Sequence, residues 1–105
     1  MPAYMIIHAK IHDRDKFVSG YAPAAAKLVE QHGGQYVLRA MGAEILEGTL
    51  PENGSVVISE WPDKASAQGF FNSPEYLEVK QLRNGVADVQ VMLVEAPAIN
   101  SSADD

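Results

Sequence analysis

Three side chains in this sequence have the types and surroundings that acid–base or anion-binding chemistry requires. His8 lies in a strand-like segment, where an imidazole could act as a base or ligand, or could simply be satisfied by a neighbouring side chain or a subunit seam. Glu60 ends an apolar run, and a carboxylate there is costly to bury unless it is paired. Arg39 is the predicted partner of Glu60 across the Asn53-Gly54 turn. The two form either a structural ion pair or a general base with an anchor for an anionic substrate.

A second group of candidates surrounds the segment Ser73-Pro74-Glu75. Serine caps a helix, proline suits the first helical position, and the N–H groups of a helix start favour an anion. Capping alone, worth about 1 kcal/mol, also explains the serine. The candidate site residues are therefore His8 and Glu60 as catalytic groups, and Arg39, Ser73, Tyr76 and Arg83 as substrate-binding groups.

No motif of a known catalytic class is present in the sequence. The chain has no cysteine, which excludes disulfides and cysteine-ligated metals, and His12 and His32 fall at the ends of predicted elements. We therefore expect neither a metal nor a cofactor, haem included. The larger aromatic residues are expected in the core or an interface first and in a pocket wall second: Tyr4, Tyr21, Tyr36, Trp61, Phe70 and Phe71.

Charge and composition narrow the class of partner. Asp and Glu number 14 against 8 Lys and Arg, for a formal net charge of −6. This balance opposes nucleic acids and anionic membrane surfaces. The first residues lack the basic stretch of a signal peptide, so a cytoplasmic location is expected.

The order of the predicted elements is β-α-β-β-α-β. Alternation predicts the first strand, Pro23 interrupts the helix that follows, and Gly42 is the expected bulge within the second strand. The predicted strands are Ala3–Ile11, Gln35–Arg39 with Ala43–Glu47, Ser55–Trp61 and Asp88–Glu95. The predicted helices are a long broken one between Asp13 and Gly33-Gly34, a short one over Lys64–Phe71, and one from the Ser73 cap to Asn84-Gly85.

This order predicts an α+β, ferredoxin-like fold with a four-stranded antiparallel sheet and its helices on one face. The third and fourth strands contain the consecutive apolar runs 56–58 and 91–94, so the other sheet face is also apolar. Packing against a second copy would cover it. The alternatives are a C-terminal tail folded across that face or a different protein bound to it. We predict one domain over residues 1–96 and a flexible acidic tail over residues 97–105.

The chain resembles the family called domain of unknown function 1330, within the dimeric α/β-barrel superfamily. The resemblance rests on Val57–Pro62, on the run Phe70–Tyr76 with Arg83 downstream, and on the His32-Gly33-Gly34 turn. It implies a homodimer with the fold predicted above, and it carries over no catalytic residue. The chain departs from the family pattern at Ala40-Met41, where glycines are usual.

Two functional hypotheses follow from the fold and the resemblance. One is a cofactor-free isomerase or monooxygenase acting on a small organic metabolite in a pocket between sheet and helices. The other is a non-catalytic ligand-binding or stress-associated interaction protein.

Overall fold

The structure is a computed structural model that describes residues 1–97. The strands are β1 (Ala3–Ile11), β2 (Gln35–Ala43), β3 (Gly54–Trp61) and β4 (Ala87–Glu95). The helices are α1 (Arg14–Lys16), α2 (Ala22–Gln31), α3 (Lys64–Phe71) and α4 (Pro74–Lys80), with a π-helical segment at Phe17–Tyr21 and a 3₁₀ turn at Gln81–Arg83.

Local sequence signals begin the helices where expected. The side chains of Asp13, Asp63 and Ser73 each accept a backbone N–H three residues further on, which satisfies a donor that the first helical turn leaves open. Pro23 lies in the first turn of α2, directly after the π-helical segment. Helical backbone runs without interruption from Arg14 to Gln31, so the region changes helix type but is not broken at Pro23 as predicted.

The four strands form one antiparallel sheet in the order β2-β3-β1-β4. Alternate residues of β1 and β3, such as Met5, Ile7, Val57 and Ser59, face the helical layer, which we call the helix face. The residues between them lie on the opposite side, which we call the open face. The predicted ferredoxin-like fold class is confirmed.

The second strand differs from the prediction. It runs without a break to Ala43 and then stops, so the expected strand piece Ala43–Glu47 was wrong beyond its first residue. The backbone N–H of Asn53 donates to the carbonyl of Ala43 at 2.9 Å, which closes the hairpin and leaves residues 44–52 outside the sheet. Irregularities interrupt the pairing near Gly42, as expected, and also between Tyr36 and Leu38, which was not expected.

The core lies between the helix face and the helices. Trp61 is 1% exposed, its ring centroid is 5.1 Å from that of Phe70, and its Nε1–H donates to Ser59 Oγ at 2.9 Å. Gly34 approaches the indole so closely that a Cβ atom there would lie 2.8 Å from three of its ring carbons. Glycine is therefore required at this position, because no room remains beside the indole for a Cβ atom.

The open face has an apolar middle. A single row crosses all four strands there, and each neighbour in it is paired in register: Leu38, Ile58, Ile6 and Met92. Met92 is 59% exposed and Leu38 is 42% exposed. The helical layer, which packs on the other face, does not cover this row.

No helix within residues 1–97 is long and apolar enough to span a bilayer. Residues 98–105 of the predicted tail lie outside the described residues. The proposed division into residues 1–96 and a tail stays a prediction.

Candidate functional site

A cavity of about 400 Å³ lies between the helix face of the sheet and the helices. Small side chains create it, because they leave the space between the two layers unfilled: Ala9, Ala22, Ala25, Ser55 and Ser59. Aliphatic and aromatic side chains make up most of the remaining wall. Its size is within the usual range for small-molecule sites.

Two tyrosine hydroxyls meet in the cavity. The hydroxyl oxygens of Tyr21 and Tyr76 are 2.6 Å apart, and Nη1 of Arg83 donates to both, at 3.4 and 3.3 Å. Tyr21 ends the π-helical segment, Tyr76 lies in α4 behind the Ser73 cap, and Arg83 lies in the 3₁₀ turn. Three separate elements thus bring these groups together. We call the Tyr21 and Tyr76 hydroxyls, with Arg83, the hydroxyl pair and its arginine.

A second polar group comes from β2. Tyr36 and Arg39 both line the cavity, and the guanidinium carbon of Arg39 lies 5.3 Å from the Tyr36 ring centroid. Residues three apart on a regular strand point to opposite faces. The irregularity between Tyr36 and Leu38 adds one residue to β2, so Arg39 pairs with Val57 and faces the cavity.

Two phenols of the cavity, those of Tyr36 and Tyr76, hold their protons strongly. Burial raises the pKa of Tyr76 well above its ordinary value, and the adjacent Tyr21 raises it further. Burial also raises the pKa of Tyr36, with Tyr21 adding to the effect and Arg39 opposing it. At neutral pH these groups are therefore hydrogen-bond donors rather than bases.

These pKa shifts predict an alkaline loss of stability. A tyrosine with a raised pKa in the folded state loses its proton first in the unfolded state, so its contribution is present below about pH 10 and falls above it. We expect the free energy of unfolding, measured in urea from pH 9 to pH 11, to fall more steeply in the wild type than in Tyr76→Phe, by up to about 1.4 kcal/mol per pH unit. Equal slopes would contradict the assignment.

Two of the six candidate residues, Arg39 and Tyr76, line the cavity, and a third, Arg83, donates to the Tyr76 hydroxyl. Ser73 does not line the cavity. Its hydroxyl donates to the Phe70 carbonyl at 2.8 Å and accepts the Tyr76 N–H at 3.1 Å, which is the geometry of a helix cap.

His8 and Glu60 lie on the open face, away from the cavity. Glu60 accepts long hydrogen bonds, both 3.4 Å, from the Tyr4 hydroxyl and the Gln35 side chain. His8 is paired with Val56, four residues before Glu60, so the two candidates are about 13 Å apart along the sheet. The expected ion pair between Arg39 and Glu60 does not form, because the two side chains lie on opposite faces.

Sequence reasoning counted Tyr21 and Tyr36 only as aromatic bulk, and it did not consider Arg14, which lines the mouth of the cavity. Tyr21 is 55 residues from Tyr76, and no local pattern links them. The lining residues include no Asp, Glu, His or Lys. Within residues 1–97, no three His, Asp or Glu side chains are grouped as a metal site requires.

Comparisons with known proteins agree with the fold. The model of the family described as domain of unknown function (DUF1330) matches residues 2–97. No protein with curated annotation matches the sequence.

Several solved structures are similar at low sequence identity, which shows a common fold alone. A protein of unknown function from Rhodopseudomonas palustris aligns with a TM-score of 0.71 at 20% identity over 93% of this chain and 84% of that chain. SnoaB, a cofactor-independent oxygenase from Streptomyces nogalater, aligns with a TM-score of 0.68 at 16% identity over 93% of this chain and 95% of its own. A protein from Arabidopsis thaliana aligns with a TM-score of 0.69 at 14% identity over 93% of this chain and 98% of its own.

Proposed function

The chain belongs to the DUF1330 family, and from that premise we propose that it binds a small, mostly apolar organic molecule bearing an acidic or carbonyl oxygen in the cavity between sheet and helices. The observation that carries this proposal is the hydroxyl pair with its arginine. One hydroxyl of the pair donates to the other, which leaves a single phenolic O–H, next to the Arg83 guanidinium, to donate to a ligand in the apolar cavity.

The finer form of the proposal is a cofactor-free isomerase or monooxygenase. An enolate or phenolate oxygen that develops during either reaction would gain hydrogen bonds from Tyr21, Tyr76 and Arg83. No lining residue is a base at neutral pH, so the proton acceptor would be water or the ligand's own acidic group. The oxygenase SnoaB, which is similar in fold, supports this form by analogy. The other form, ligand binding or a stress-associated interaction without turnover, uses the same donors.

Calorimetry with naphthoate and its neutral analogue naphthamide tests the binding proposal. We expect naphthoate to bind more tightly than naphthamide. We also expect Arg39→Gln and Tyr76→Phe each to weaken naphthoate binding by about tenfold or more, because each removes a donor or a charge from the cavity.

The matched control is Lys27→Gln, which removes the same charge as Arg39→Gln from an exposed position of α2. It should leave the affinity unchanged. Absence of naphthoate binding, or an equal effect of the two charge removals, would contradict the proposal.

Deuterium uptake by β-tetralone, followed by NMR, separates the two forms: uptake that Tyr76→Phe abolishes supports catalysis, and no uptake supports binding alone.

We also propose that two copies of the chain pair through their open faces. The apolar row Leu38, Ile58, Ile6 and Met92 is uncovered among residues 1–97, and leaving a few hundred Å² of such surface in water forfeits several kcal/mol. A symmetric pair would bury the row against itself.

His8 lies in the next row of the same face, with its ring against Gly54. Its Nε2 atom is buried without a hydrogen-bond partner among the described residues. Such an atom costs about 1–3 kcal/mol while it stays unsatisfied. Because the chain itself encloses this atom, the pairing proposal rests on the apolar row and not on His8.

A further inference from the structure

The three arginines of the chain lie at or next to the cavity. Arg14 and Arg39 line it, and Arg83, which is not a lining residue, donates to the hydroxyls of the lining residues Tyr21 and Tyr76. No carboxylate is among the lining residues, although the chain carries 14 acidic residues and a net charge of −6. Three of the eight Lys and Arg side chains of this acidic protein are thus arginines at one cavity.

None of the three guanidinium groups is neutralised within residues 1–97. The ion pair found in that part of the chain joins His12 to Asp88, and no carboxylate comes within 4.0 Å of any arginine. Three like charges around one apolar wall repel each other, and an anion between them relieves the repulsion.

The acidic side chains near the mouth of the cavity bond to groups other than the arginines. Asp13 accepts the Lys16 backbone N–H at 3.1 Å, and Glu52 accepts the Ile45 backbone N–H at 3.2 Å. Asp88 lies 2.8 Å from His12. None of these carboxylates therefore neutralises an arginine, and the guanidinium charges are available to a ligand that enters the cavity.

The positive groups are spread along the cavity rather than gathered at one place, and Arg39 lies beside Val57 in its middle. The wall formed by β1 runs from Met5 to Ile11, about 20 Å along the strand. Met5 shares the buried core cluster with Tyr76 of the hydroxyl pair. Arg14 lies at the other end, where the cavity continues into a recess of about 160 Å³.

This recess is the polar mouth of the cavity. It is shared with the cavity at Ile11, Arg14 and Ser55, and Lys10 and Asn53 also line it. The Lys10 ammonium donates to the Glu52 backbone carbonyl at 3.3 Å, which holds it near the recess. The polar side chains around the recess are those of Lys10, Arg14, Asn53 and Ser55, and no acid is among its lining residues.

We propose that the ligand carries two acidic groups at opposite ends of an apolar body. The inner oxygen is bound by the hydroxyl pair and Arg83, and the outer carboxylate is bound at the mouth by Arg14. This inference rests on the proposed function and narrows its ligand from an apolar acid to an apolar diacid.

The test uses two forms of one probe. The first is naphthoate with a flexible carboxypropoxy arm on its far ring, and the second is the same compound with the arm as its methyl ester. We expect the wild type to bind the arm acid about tenfold more tightly than the arm ester. Arg14→Gln should remove this preference, because it weakens binding of the arm acid much more than binding of the arm ester.

Lys16→Gln is the matched control, because it removes the same charge from the same short helix at an exposed position. It should keep the preference to within about twofold, since an exposed charge outside the mouth is screened. Equal binding of acid and ester would contradict the diacid inference while leaving the proposed function intact. Equal effects of Arg14→Gln and Lys16→Gln would contradict it as well. No binding of either probe would contradict both.

Discussion

Replacing Trp61 by alanine lowers the free energy of unfolding by about 3–5 kcal/mol, a large part of what a domain of this size possesses. Trp61 is 1% exposed, and its ring packs on Phe70. The surrounding structure cannot close over the vacated space, because the Gly34 backbone on one side has no side chain with which to fill it. The loss would also leave Ser59 Oγ buried without its indole donor.

Urea unfolding followed by far-ultraviolet circular dichroism measures this change, since Trp61 is the chain's single tryptophan and its fluorescence is lost with it. Leu77→Ala is the control, because Leu77 is also a large apolar residue but is 50% exposed. It should cost less than about 1 kcal/mol. A Trp61→Ala variant as stable as Leu77→Ala would contradict the central position given to the indole. If Trp61→Ala does not fold, Trp61→Phe should fold with an intermediate stability.

Ile58→Asp on the open face converts the proposed dimer to monomers. Ile58 lies in the middle of the apolar row, paired with Leu38 on one side and Ile6 on the other. In a symmetric interface each substitution occurs twice, and each desolvated carboxylate costs several kcal/mol. We therefore expect association to weaken by about a thousandfold or more.

Sedimentation velocity at micromolar concentration checks this prediction. The wild type should sediment as a dimer and Ile58→Asp as a monomer with an unchanged circular dichroism spectrum. Leu77→Asp introduces the same charge on α4, away from the open face, and should remain dimeric. A monomeric wild type would contradict the pairing and favour a tail or a different protein as the cover.

Local signals in the sequence were sufficient for most elements. The Ser73-Pro74-Glu75 run predicts α4 because capping and proline geometry act within one turn. The alternation in Ala3–Ile11 predicts β1 with the same bounds as the structure. In both cases the signal and the structure it determines lie within a few residues of each other.

The register of β2 could not be predicted in this way. A regular hairpin that pairs Gln35 with Glu60 would place Arg39 beside Val56, on the same face as Glu60. The extra residue near Val37 moves Arg39 to Val57 and therefore to the cavity. Nothing in the local residue types marks that irregularity, whereas the glycine at position 42 marked the other one.

The candidate site was predicted only in part, because its contacts are long-range. Of the residues chosen by type and position, Arg39 and Tyr76 line the cavity and Arg83 bonds to the Tyr76 hydroxyl, while their role in binding stays a prediction. Tyr21 joins them across 55 residues, a separation at which neither periodicity nor spacing carries information. His8 and Glu60 were predicted to be site residues because the alternation of a strand alone does not indicate which of its two faces the helices cover.

The cavity exists because a few of its lining side chains are small, and not because the backbone strands and helices are set apart. Ala9 and Ala25 are each at most 5% exposed, yet the space beside them stays empty. Longer aliphatic residues there would strengthen the core and abolish the room for a guest molecule. One scaffold of this kind can thus exchange guests, or lose the ability to hold one, through point substitutions that leave every strand and helix in place.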